Sequence, residues 1–179
     1  MTDRPEPRML TARQRDIVRT AQAVLESDGW DAVSMRGIAG KLSIKAPSLY
    51  KHLAGRAELC AWLVEDALFE MGDALYEAID SDPDAPVEAL LRTYREQALA
   101  HPERYRLATG REFNRADLLP GLEEWAGTPF WLVTRDEHRA QALFAMAHGL
   151  VTMEMDLRLP EESDLDETWR AGGQAFTGR

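Results

Sequence analysis

Between Ser34 and Arg56 the chain reads SMRGIAGKLSIKAPSLYKHLAGR, a spacing that leaves little freedom in how the segment folds. Ser34 predicts a helix start, its hydroxyl placed to cap the orphan amides of a first turn, and Ile38 and Leu42 lie four apart on one face of that helix. Ala39 is small where a neighbouring helix must cross closely. Ser43 and Ile44 predict a tight turn. Ala46 and Pro47 then open a second helix, because proline is tolerated in a first turn, where its missing N–H would be unpaired anyway. Leu49 and Leu53, one turn apart, face inward, which leaves Ala46, Pro47, Ser48, Tyr50, Lys51 and His52 pointing wholly or partly outward. Two short helices about a turn, the second with hydroxyls, a cation and an imidazole on its outer side, form the helix-turn-helix arrangement that aims a helix into the major groove of DNA.

Net charge is −10 over 179 residues, which taken alone argues against a nucleic-acid partner. The distribution resolves the conflict. Residues 1–56 carry ten Arg and Lys against six Asp and Glu, and residues 57–179 carry eleven against twenty-five. All three lysines, Lys41, Lys45 and Lys51, fall inside the helix-turn-helix, so a basic end can approach phosphates while an acidic remainder stays away. These figures predict two domains, 1–56 and 57–179. The hydrophobic content of 45% is enough for a sizeable core. A lone Cys60 excludes an internal disulfide, no apolar run reaches membrane-spanning length, and MTDRPEPRML lacks the apolar core of a secretory signal, so the expected address is the cytoplasm.

The remainder reads as helices, giving an all-α fold of about nine. A first helix over Thr11 to Gly29 places Ile17, Val18, Ala21, Val24 and Leu25 on one face and ends at glycine; with the helix-turn-helix it forms a three-helix head. From Arg56 a long helix carries Leu59, Leu63, Ala67, Met71, Leu75 and Ile79 until Asp80-Ser81-Asp82-Pro83-Asp84 breaks it. Helices follow over Val87 to Ala100 and from Pro102 to Gly110. Between Gly110 and Thr134 the pattern weakens to a short helix inside loops. Thr134 to Glu137 reads as a capping box launching a helix that ends near Leu159-Pro160, and Ser163 as the cap of a last helix bearing Leu165, Trp169, Gly172 and Phe176.

The run Leu49-Tyr50-Lys51-His52-Leu53 followed by Ala54-Gly55-Arg56, with Trp30, Val33, Ser34 and Ile38-Ala39 upstream, resembles the DNA-binding head of the tetracycline-repressor (TetR) family of bacterial transcription regulators. The likeness covers the first third of the chain, and Ala-His-Gly-Leu-Val at 147–151 is similar to a signature of one subgroup's C-terminal domain. There are departures: Ser43 stands where the turn often has glycine, Leu53 where phenylalanine is usual, and Arg56 where lysine is usual. A left-handed Ser43 would carry strain of about 1 kcal/mol.

The resemblance implies a ligand-released repressor that binds a palindromic operator as a homodimer, its two heads spaced by about 34–36 Å or a multiple to meet two half-sites. By their chemistry Arg36, Lys45, Ser48 and Lys51 are placed to contact bases or backbone, and Ala46 and Pro47 to press on a thymine methyl. Ser34, Tyr50, His52 and Arg56 are assigned to phosphates. The resemblance also implies a four-helix interface from the last two helices of each copy, for which Phe144, Val151, Met155, Trp169 and Phe176 are the candidates. Trp62, Tyr94, Phe113, Trp125, Trp131 and Phe144, with His148 as a polar group, are the candidate lining of a cavity for a small apolar or amphipathic effector, although residues of these types are more often plain core than ligand wall. The resemblance further implies that effector binding shifts the long helix and spreads the heads; full reversal requires a preference of about 5.5 kcal/mol.

Two other readings fit parts of the chain. A ligand-binding or partner-binding dimer without DNA contact would suit the overall acidity. A helical enzyme would draw on His101, His138, His148, Glu103, Glu137, Glu154 and Cys60. No metal-ligand spacing, glycine-rich phosphate loop or cysteine pair supports the enzyme, and no cofactor or metal is predicted.

Overall fold

The computed structural model describes residues 3–177, and among them every regular element is helical. Among the described residues nine α-helices occur in the order α1 (Ala12–Asp28), α2 (Met35–Lys41), α3 (Ala46–Leu49), α4 (Arg56–Ser81), α5 (Pro86–Ala100), α6 (Pro102–Thr109), α7 (Leu122–Thr134), α8 (Glu137–Met155) and α9 (Leu165–Thr177). Single 3-10 turns cover Trp30–Ala32 and Arg115–Asp117. No helix is long and apolar enough to cross a membrane among the described residues.

The chain gathers into two compact units. One comprises Arg4–Phe69 with His101–Leu122; the other takes Glu70–Ala100 and the chain from Glu123 onward. α4 therefore contributes its first half to one unit and its second half to the other.

In the first unit the inward stripe of α1, Ile17, Val18, Ala21, Val24 and Leu25, meets Ile38 and Ala39 of α2, Leu49, Leu53 and the buried residues Leu59 to Val64 of α4. α6 packs against α1. α1 opens with a reciprocal cap in which Thr11 Oγ1 accepts from the Gln14 amide and Gln14 Oε1 accepts from the Thr11 amide. It ends at Gly29, whose φ of 77° suits glycine. The chain before α1 is tied down by Arg8, which donates to Glu65 of α4 at 2.7 and 2.9 Å and to the Asp117 carbonyl at 3.0 Å. Glu65, only 3% exposed, also accepts the Leu119 amide. A buried carboxylate persists because a guanidinium and an amide fill its lone pairs.

In the second unit α5 lies against α8 and α9, which also touch each other. Tyr94 of α5, Phe130 of α7 and Phe144 of α8 meet edge to face, with centroids 5.4–6.3 Å apart. Trp125 of α7 stacks on Tyr76 and presses on Gly72 of α4, where an added Cβ would lie 2.4 Å from the indole.

Four expectations are corrected. The segment after Gly110 holds a full helix, α7, with Pro129 inside it. Proline there cannot donate to the Trp125 carbonyl four residues back, and the Tyr76 hydroxyl donates to that carbonyl at 3.4 Å instead. The cap of α8 is Asp136, which accepts from the Arg139 amide at 2.8 Å, because α7 runs through Thr134 and the Thr134 hydroxyl bonds back to the Phe130 carbonyl. A left-handed Arg135 separates the two helices. α8 stops at Met155, short of Leu159-Pro160, where a left-handed Leu157 lets the Arg158 amide reach the Met153 carbonyl. Asp164, not Ser163, caps α9 by accepting from the Glu167 amide at 2.9 Å.

Candidate nucleic-acid interface

The helix-turn-helix is built from backbone geometry upward. Ser34, in extended conformation, accepts the Gly37 amide on its hydroxyl at 3.1 Å and starts α2. Ser43 takes φ of 55°, the Ile44 amide reaches the Ala39 carbonyl at 2.9 Å, and Lys45 is extended again. This left-handed step turns the chain within three residues.

The second helix is shorter than its sequence predicts: regular α-helix covers only Ala46–Leu49, and a tighter turn continues it as the His52 and Leu53 amides both return to the Leu49 carbonyl. Leu49 is fully buried and Leu53 nearly so. Their burial turns the intervening residues outward. Lys45, Pro47, Tyr50 and Lys51 are exposed, while Ala46, Ser48 and His52 are half-buried. Tyr50 keeps 56% of its surface although it is a large aromatic. Arg36 and Lys41 of α2 are exposed as well, and so is Ser34. Hydroxyls, cations and one aromatic thus share a rigid support of buried leucines, the combination that phosphate and base edges call for.

Two side chains act differently from their sequence assignment or were missed. Arg56 opens α4, yet its guanidinium donates to the Val33 carbonyl at 2.9 Å and the Trp30 carbonyl at 2.7 Å and lies 4.1 Å over the Trp30 ring. It holds the loop between α1 and α2 to the start of α4. Gln14 ties the turn after α3 to α1, donating to the His52 carbonyl at 2.8 Å; the Thr11-x-x-Gln14 spacing of a capping box was its available signal.

The candidate effector residues divide. Trp62 is buried in the first unit, and Phe113 packs on the same core. The other five belong to the second unit. There Tyr94 and Phe144 meet, His148 stacks on Phe144 at 6.0 Å, and Trp125 is occupied by Tyr76. Trp131 is 42% exposed under the Arg135 guanidinium. Of the candidate interface residues, Val151 and Trp169 are already buried within the protomer, and the Trp169 Nε1 donates to Glu154 at 3.0 Å. Phe144 is 43% exposed, and Met155 and Phe176 are half-buried. Burial pushes the Cys60 thiol up to about 11, which holds it in the neutral thiol form at neutral pH.

Comparison with known proteins agrees with the all-helical fold. A family described as "Tetracyclin repressor-like, C-terminal domain" matches residues 87–176. The HTH-type transcriptional regulator YobS of Bacillus subtilis (strain 168), itself uncharacterized, is 26% identical over 96 residues, 53% of this chain and 50% of that protein. The match thus spans about half of that relative's length. A solved protein of unknown function from Rhodococcus sp. RHA1 shares the fold with a TM-score of 0.78 at 24% identity, over 97% of both chains. The multidrug binding protein EbrR, solved with imidazole, gives 0.70 at 21% over 94% of this chain and 97% of that one. A possible TetR family transcriptional regulator from Streptomyces coelicolor A3(2) gives 0.62 at 22%, over 92% and 89%.

Proposed function

This chain belongs to the tetracyclin repressor-like family, and on that premise we propose that it is a DNA-binding transcriptional regulator that occupies a palindromic operator as a homodimer and is released by a small effector. The observation that carries the reading is the outer face of α3 and the turn after it. Tyr50 stays 56% exposed beside exposed Lys45 and Lys51, while Leu49 and Leu53 are buried beneath them. A solvated surface gains nothing from an unburied aromatic, whereas a phosphate-facing surface gains a rigid hydroxyl donor.

Arg36, Lys45, Ser48 and Lys51 are the proposed readers of bases and backbone, with Ala46 and Pro47 against a thymine methyl. Ser34, Tyr50 and His52 anchor phosphates. Arg56 is assigned to positioning, since its guanidinium is held by two carbonyls. Phe144 on α8, exposed within the protomer, is the proposed centre of the contact between copies. The protein acts in the cytoplasm and turns over no substrate. Repression follows if the bound dimer blocks a promoter.

Titrating a duplex at several salt concentrations tests the reading. The wild-type chain should show a log–log slope of several units, and Lys45→Ala and Lys51→Ala should each lower that slope by about 1. A slope near zero would remove DNA as the partner, and variants with an unchanged slope would move the contact away from Lys45 and Lys51.

A further inference from the structure

Within the second unit a groove of about 730 Å³ runs between α5 and α9, inside the range of about 300–1,000 Å³ usual for small-molecule sites. None of the residues singled out as effector lining borders it. Its apolar wall is Leu99 of α5, 38% exposed, backed by Val87 and Leu91 of α5 and Trp169 of α9, which are buried. The two helices approach closely because Gly173 has no side chain; a Cβ there would lie 2.9 Å from Leu91 Cδ1.

One polar group in the groove is both fixed and directed. Arg95, its side chain only 20% exposed, is gripped by Glu154 of α8 through Nε at 2.9 Å and Nη2 at 2.7 Å. Its remaining nitrogen, Nη1, donates at 2.6 Å to Asp166, whose side chain is 89% exposed. One partner of the guanidinium is locked into the fold, while the other is a surface carboxylate that solvent can replace with little loss. One turn away on α5, Arg92 borders the groove, exposed and with no ion pair among the described residues. Glu88 and Glu96 also border it, four residues to either side of Arg92, and no hydrogen bond or ion pair holds either among the described residues. The third arginine, Arg170, is taken by Glu167. The preorganised feature of the groove is therefore the Arg95 Nη1 donor, on a guanidinium whose charge Glu154 already balances.

We propose that this groove binds an organic carboxylate with an apolar tail. The tail lies over Leu99 and the edges of the buried Leu91 and Trp169, and the carboxylate takes the place of Asp166 on Arg95 Nη1 with Arg92 as its second contact. A planar acceptor suits a guanidinium already oriented from behind by Glu154. The site stands whether or not the chain binds DNA.

Calorimetric titration of the full chain with decanoate, alongside decanol and decyltrimethylammonium, tests it. Decanoate should bind saturably and at least about tenfold more tightly than either tail-matched probe. Arg92→Glu should weaken decanoate by about tenfold. Asp166→Asn removes the competing carboxylate and should tighten it by about threefold. Both side chains are exposed, so both variants should keep the wild-type circular dichroism. A merely structural Asp166 would give a lower melting temperature in Asp166→Asn and no gain in affinity. Decanoate that fails to saturate, that binds no better than the other two probes, or whose affinity is indifferent to both substitutions would overturn the proposal.

Discussion

Ser43 holds φ of 55° without being glycine, at the point where α2 gives way to the outward-facing turn. The conformation costs about 1 kcal/mol in an L-residue. Ser43→Gly should therefore stabilise the chain by up to about 1 kcal/mol, read as a higher urea midpoint with an unchanged slope. Cys60 makes a second residue-level prediction. Its thiol is raised in the fold from 9.0 to about 11 by burial, so it should resist alkylation at pH 8 until the protein is denatured. The linkage has a definite sign. Stability from the neutral thiol is complete below pH 9 and is lost as pH rises through about 11. Cys60→Ser should shift that alkaline limb of the stability curve.

At the scale of elements, α7 is where backbone accounting decides the outcome. Pro129 removes one helical hydrogen bond, and the Tyr76 hydroxyl meets the orphaned Trp125 carbonyl while its ring stacks on the indole. Tyr76→Phe should cost about 1 kcal/mol in the wild-type background and far less in Pro129→Ala, where an amide is restored; a double-mutant cycle by urea denaturation measures the difference. The full length of this helix was hidden in the sequence because its interior Pro129 and Gly127 are loop signals, and the compensating donor lies 49 residues away on α4. The helix caps failed for a local reason. Thr134 and Asp136, like Ser163 and Asp164, are alternative caps within two residues, and the choice depends on where the preceding backbone turns. The inward stripes of α1, α2 and α4 were legible because each repeats over one or more turns. The candidate interface divides in the same way. Leu49 and Leu53 four residues apart dictate that Lys51 and Tyr50 face out. The roles of Arg56 and Gln14 depend on carbonyls that only the folded chain brings near.

Over the whole molecule, charge and surface separate by function. The first 56 residues are net basic and the rest strongly acidic, so the chain meets a duplex in one orientation. The proposed operator reading calls for two copies, because one short helix covers only a few base pairs. Phe144 and Met153 are large apolar side chains of α8 left 43% and 38% exposed, and Phe144→Glu should convert the proposed dimer to monomer in sedimentation while leaving helix content intact. The central claim is that α3 and the turn after it read DNA, and selection of bound sequences from a pool of random duplexes tests it most directly, with the Tyr50→Ala, Lys51→Ala double variant beside the wild type. The wild-type chain should enrich a palindrome that the folded, dimeric double variant fails to retain. No enrichment by the wild-type protein at low salt, or equal enrichment by both, would contradict the claim.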